Sequence, residues 1–158
     1  MDVFVEKFAD IKILRYEVPG FVNLDPPRKI YIYYLSQAAL CGRDILWDQN
    51  NQYNLVVRNV LETIYLTFSG DRKSYDFQQF EVYLKRVWFS NGIHHHYSTE
   101  KIPAGFTESF WDELVRLSDW TSLQPASGID QAFLLKEIRH LIFSSVAEKK
   151  RVNLEPHQ

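Results

Sequence analysis

Three consecutive imidazoles, His94, His95 and His96, stand directly before Tyr97 and close to Glu100 and Lys101. Imidazole titrates near neutrality and is the commonest metal ligand, so proton transfer, metal binding and recognition of polar ligands are the chemistries to weigh. Spacing decides among them. Ligands on one ion must converge, and neighbours in an extended segment point to opposite sides, so three adjacent histidines do not make a three-ligand site. His94 and His96 fall on one side of such a segment, where Glu100 would complete a weak set. Helical metal sites place two histidines three or four residues apart, as in His-Glu-x-x-His, and no such pair occurs in the sequence. The plainer reading is a loop of partly solvated imidazoles that hydrogen-bond to backbone.

Other reactive groups are no better placed. The serines are scattered and none lies in Gly-x-Ser-x-Gly, while the six glycines never group as a phosphate loop requires. The single cysteine, Cys41, sits between Ala38-Ala39-Leu40 and Gly42, which predicts a small core residue in a reducing compartment and not a nucleophile. Arg43, Asp44 and the run Asp48-Gln49-Asn50-Asn51 read as a solvated helix end. Neither catalytic nor metal-ligating residues are expected in this chain.

The elements that must hold these residues are predominantly helical by their period. Asp25-Pro26-Pro27 is a strong helix start, and Ile30, Tyr34, Ala38, Cys41 and Ile45 share one face of a helix running to about Trp47, expected to be central. Val56, Val60, Ile64 and Phe68 predict a second helix over about 52–68, with Gly70 as its left-handed stop. A third begins near Asp76 as cap, with Gln79 three residues on, and ends at Asn91-Gly92. Thr107 heads a fourth, and a fifth runs from about Asp130 to Ser144 with Leu134, Ile138 and Leu141 facing inward. At the N-terminus Phe4, Phe8 and Ile11 keep helical spacing, whereas 11–18 is ambiguous between helix and short strand until Pro19-Gly20 ends it. The fold class expected is all-α, a compact bundle of about five to six helices with an irregular loop at about 92–106. Residues 1–147 form the helical segment and 148–158 a polar tail or a connection to something further on.

Composition bounds the rest. At 158 residues the chain can bury about two thirds of its unfolded surface, and 15% aromatic content supplies ample stacking area. A net charge of −2 with dispersed Lys and Arg argues against nucleic-acid partners. With no apolar run of membrane length and no basic, apolar leader in Met1-Asp2-Val3-Phe4-Val5-Glu6-Lys7, a cytoplasmic protein with no membrane partner is expected.

Two longer segments carry a resemblance. Tyr34-Leu35-Ser36-Gln37-Ala38-Ala39-Leu40-Cys41-Gly42-Arg43-Asp44-Ile45-Leu46 and Phe80-Glu81-Val82-Tyr83-Leu84-Lys85-Arg86-Val87-Trp88-Phe89-Ser90-Asn91-Gly92 resemble the N-terminal region of dipeptidyl peptidase III, particularly its Bacteroides-type members. His94-His95-His96-Tyr97 and Lys150-Arg151-Val152-Asn153 resemble the same family in the same order, so the resemblance spans about 4–153. That family comprises two-lobed zinc exopeptidases that remove dipeptides from short peptides, using a His-Glu-x-x-Gly-His helix and a second Glu-bearing helix on the other lobe. Neither motif is present here.

The resemblance therefore implies an N-terminal, non-catalytic piece of the lower, substrate-facing lobe, with no cofactor of its own and zinc only in a full-length parent. It implies that Tyr97 matches an aromatic position flanking the bound peptide, with His94, His95, His96 and Lys101 as neighbouring substrate-binding residues. The partners implied are short peptides and the remainder of the peptidase, together with self-association through apolar surface that the missing lobe would cover. The competing expectation is an autonomous helical interaction module without enzymatic activity, presenting Trp111, Trp120 and Tyr31.

Overall fold

The computed structural model describes residues 3–123, 130–145 and 149–151, and divides the chain into one unit over 1–45 and another over 46–158. In the first unit, strands β1 (Phe4–Phe8) and β2 (Ile11–Leu14) pair antiparallel, with Phe8 opposite Ile11 and Phe4 opposite Leu14. The helical spacing of Phe4, Phe8 and Ile11 is therefore coincidental. Val3, Val5, Ile11 and Ile13 are β-branched at alternate positions, which suits a pleated ribbon, and Ala9 turns the chain at φ 47°.

Helix α1 (Pro26–Cys41) starts as its sequence predicts, with the Asp25 carboxylate accepting from the Arg28 amide at 3.0 Å and two prolines in the first turn. It does not run on to Trp47. Gly42 closes the turn through its amide to the Ala39 carbonyl at 3.2 Å, and the chain restarts as α2 (Arg43–Asn50). Nor is α1 central, since none of its residues is buried and Cys41 is exposed. Its apolar residues include the unbroken run Ile30-Tyr31-Ile32-Tyr33-Tyr34-Leu35, which circles the helix and gives no phase to choose an inner face.

The second unit is the helical bundle. Helices α3 (Asn54–Thr67), α4 (Tyr75–Ser90), α5 (Glu108–Arg116) and α6 (Gln131–Phe143) enclose one apolar core, in which Val60, Leu61, Ile64, Phe80, Leu84 and Leu114 are fully buried. Counting α1 and α2, six α-helices occur among the described residues, and the chain is mostly helical. Caps explain where they start. Thr107 Oγ1 accepts from the Phe110 amide at 3.1 Å and Asp130 Oδ2 from the Phe133 amide at 3.1 Å, both as expected. For α4 the cap is Ser74, accepting from the Phe77 amide at 3.2 Å, and Asp76 instead sits in the first turn, where its charge meets the positive helix end.

Helix α3 closes at Phe68, whose ring stacks on Phe77 at 5.1 Å, and Gly70 is not left-handed. The interior is strongly aromatic. Phe106 lies 5.6–6.4 Å from the rings of Phe80, Tyr83, Phe110 and Phe143, all edge-on, so one side chain from the loop before α5 joins rings from three helices. In α6 the inward residues are Leu135, Ile138, Leu141 and Ile142, with Leu134 only partly buried. No helix among the described residues is long and apolar enough to cross a membrane.

Candidate functional site

The site begins at the end of α4. Asn91 takes the left-handed conformation at φ 52°, and its amide bonds the Trp88 carbonyl, ending the helix as the Asn91-Gly92 pair predicts. The following segment contains no helix or strand, as expected of an irregular loop, but it folds back on itself as a narrow hairpin. The Ile102 amide bonds the Ile93 carbonyl at 2.8 Å, the His95 amide bonds the Glu100 carbonyl at 2.7 Å, and His94 pairs with Lys101 as an antiparallel bridge. Ile93 and Ile102 are buried and root the hairpin in the core.

This ladder sorts the five residues singled out by sequence into two groups. His94 is 3% exposed and lies inside, and Lys101 extends its ammonium to the Leu141 carbonyl at 2.8 Å and to the Ser144 carbonyl, so it caps the C-terminal end of α6. Burial lowers the Lys101 pKa from its ordinary value. His95, His96 and Tyr97 form an outer ledge. The rings of His95 and His96 are 4.2 Å apart, those of His96 and Tyr97 4.2 Å apart, and His96 stands edge-on to Phe89 of α4 at 4.9 Å. Tyr97 is 90% exposed at the tip. His95 Nδ1 accepts from the Tyr97 amide at 3.2 Å, which orients the ring at the base of the tip.

What fixes the hairpin is a set of amides that sequence reading missed. Asn54, the first residue of α3, is 1% exposed: its Nδ2 donates to the Trp47 carbonyl at 3.1 Å, and its Oδ1 accepts from the Ile93 amide at 3.2 Å. Asn50 Nδ2 donates to the Asn91 carbonyl at 3.3 Å. Asn51, expected in a solvated helix end, is buried, accepting from the Tyr53 amide at 2.9 Å and donating to the Lys149 carbonyl at 3.3 Å. The one available signal was a string of amide side chains just before an apolar helix, since buried amides require partners. Lys150, placed by sequence in a polar tail, donates to the carbonyls of His95 at 2.9 Å and His96 at 3.1 Å.

Chemically the ledge offers aromatic faces, imidazole donors and acceptors, and no nucleophile. Among the described residues no group of three or more His, Cys, Asp or Glu side chains is placed to hold a metal ion. A separate cavity of about 290 Å³ is lined by Glu108, Lys136, Arg139 and His140, where Arg139 pairs with Glu108 at 3.0 Å and Asp112 at 3.7 Å. No model of a known protein family matches the sequence, and no curated protein is significantly similar to it.

Proposed function

We propose that this chain is the N-terminal, non-catalytic segment of a zinc-dependent, dipeptidyl peptidase III-like exopeptidase, and that its ledge of His95, His96 and Tyr97 faces short peptides. The observation that carries the reading is Tyr97, a ring left 90% exposed on a hairpin whose backbone is tied down on both strands. An exposed aromatic on a rigid mount offers stacking area at little ordering cost, and the adjacent imidazoles supply donors for peptide carbonyls. His94 and Lys101 support the ledge from within and do not touch the peptide. Zinc, the general base and the remaining lobe belong to residues outside this sequence, so the chain alone does not hydrolyse peptides. The setting proposed is the cytoplasm.

The test is a titration with tetra-alanine, followed through the backbone resonances of His95, His96 and Tyr97. Shifts confined to those residues, lost on Tyr97→Ala, support the reading; unmoved resonances at millimolar peptide in a folded chain overturn it.

A second reading, an autonomous helical interaction module, is favoured by the exposed apolar surface of α1, including Tyr31 and Tyr34. Of the aromatics first expected to form its face, Tyr31 is exposed, Trp111 is buried, and Trp120 is partly buried with its indole donating to the Val115 carbonyl at 2.8 Å. A reading frame that continues into a His-Glu-x-x-Gly-His helix separates the peptidase reading from this one.

A further inference from the structure

Residues 149–151 lie across the site as a short strap. The Arg151 amide donates to the Asn50 carbonyl at 2.8 Å, Asn51 Nδ2 donates to the Lys149 carbonyl at 3.3 Å, and between these anchors Lys150 reaches the hairpin. Its ammonium donates to two successive carbonyls, those of His95 and His96. Each carbonyl belongs to a planar peptide unit, so holding both oxygens fixes the orientation of the units 95–96 and 96–97. Those two planes set the directions in which His96 and Tyr97 leave the backbone. Both bonds come from one ammonium, and charge-assisted bonds of this kind are about twice as strong as neutral ones.

We propose that Lys150 is a positioning residue for the ledge: docking of the strap on Asn50 and Asn51 carries its ammonium to the His95 and His96 carbonyls and holds His96 and Tyr97 in their receptive arrangement. Lys101 and Lys150 then divide the work. Lys101 fastens the hairpin to α6, whereas Lys150 fastens the part that meets the ligand. The ordering of the hairpin stands on the hydrogen bonds alone, while its effect on peptide binding rests on the function proposed above.

The experiment compares the wild-type chain with Lys150→Met, Lys150→Arg and Arg151→Pro, the last removing the strap's backbone donor and leaving Lys150 in place. Amide exchange at His95 and Tyr97 reads the ledge, and exchange at Val60 and Leu84 reads the core. Lys150→Met is expected to speed exchange at His95 and Tyr97 about tenfold, from the loss of charged hydrogen bonds, with Val60 and Leu84 unchanged. Lys150→Arg restores protection, and Arg151→Pro behaves like Lys150→Met. Tetra-alanine affinity falls about tenfold in Lys150→Met and recovers in Lys150→Arg. Unchanged exchange at His95 in Lys150→Met, or failure of Lys150→Arg to restore it, overturns the positioning role. A wild-type chain that ignores tetra-alanine overturns the peptide reading while the exchange data still decide the role of Lys150.

Discussion

Gly92 and Asn54 are fitted so closely that no side chain can stand between them: at the Gly92 φ of 148°, a Cβ there would lie 2.6 Å from Asn54 Cγ and 2.7 Å from Asn54 Oδ1. Gly92→Ala therefore meets both a backbone region that L residues avoid and a displaced amide network. A loss of about 2–4 kcal/mol is expected, read as a lower urea midpoint, with faster amide exchange at Ile93. A variant that unfolds at the wild-type midpoint contradicts this account.

Phe106 is expected to matter more than its place in a loop suggests. Phe106→Ala removes one ring from contacts with Phe80, Tyr83, Phe110 and Phe143 at once and should cost about 3–5 kcal/mol. Phe106→Leu, which keeps most of the volume, should lose less than half of that in the same denaturation measurement.

Tyr83 gives an alkaline signature. Its phenol is wholly buried, and desolvation pushes its pKa far above the ordinary 10.0. Below pH 10 the phenol is neutral in both folded and unfolded chains and contributes no pH dependence. Above it the unfolded chain releases a proton that the folded chain withholds, so stability falls as pH rises, by at most about 1.4 kcal/mol per pH unit. Phenolate absorbance from Tyr83 should accordingly appear only on unfolding. Tyr83→Phe should flatten the alkaline loss.

Lys101→Met tests the division of labour within the hairpin. With the carbonyls of Leu141 and Ser144 left to water, a loss of about 1 kcal/mol is expected, together with fraying of the last turn of α6. Peptide affinity should stay within about twofold of wild type, because the ledge does not include this ammonium. A large loss of binding with intact stability would return Lys101 to the ligand.

The bare apolar circumference of α1 predicts concentration-dependent association of the 158-residue chain. Light scattering should show growing mass at high concentration, and Tyr31→Lys with Tyr34→Lys should suppress it. A wild-type monomer throughout would count against this expectation.

The sequence made the local determinants readable. Thr107 and Asp130 cap helices through bonds three residues away, and Asn91-Gly92 ends α4 by backbone conformation alone, so neighbours in sequence suffice to predict them. Ser74 was missed because Asp76 followed by Gln79 imitates a capping box two residues later. For α1, apolar residues on every side leave a helix legible but its burial not. The cluster of His94, His95, His96 and Tyr97 stood out by composition, yet its separation into one buried and three outer residues depends on the register of Ile93 with Ile102. Asn54 and Lys150 act on partners 37 to 55 residues away, and no periodicity encodes such a distance.

That last separation also orders events in time. The chain emerges N-terminus first at about 5–20 residues per second, so His95 is made several seconds before Lys150, the residue 55 positions on that fastens it. Closing so long an interval also carries a larger entropy cost than the hairpin's own bonds, which join residues only a few positions apart. The bundle can therefore condense while the ledge is still unclamped, and the surface proposed to meet peptides matures after the helix that carries it.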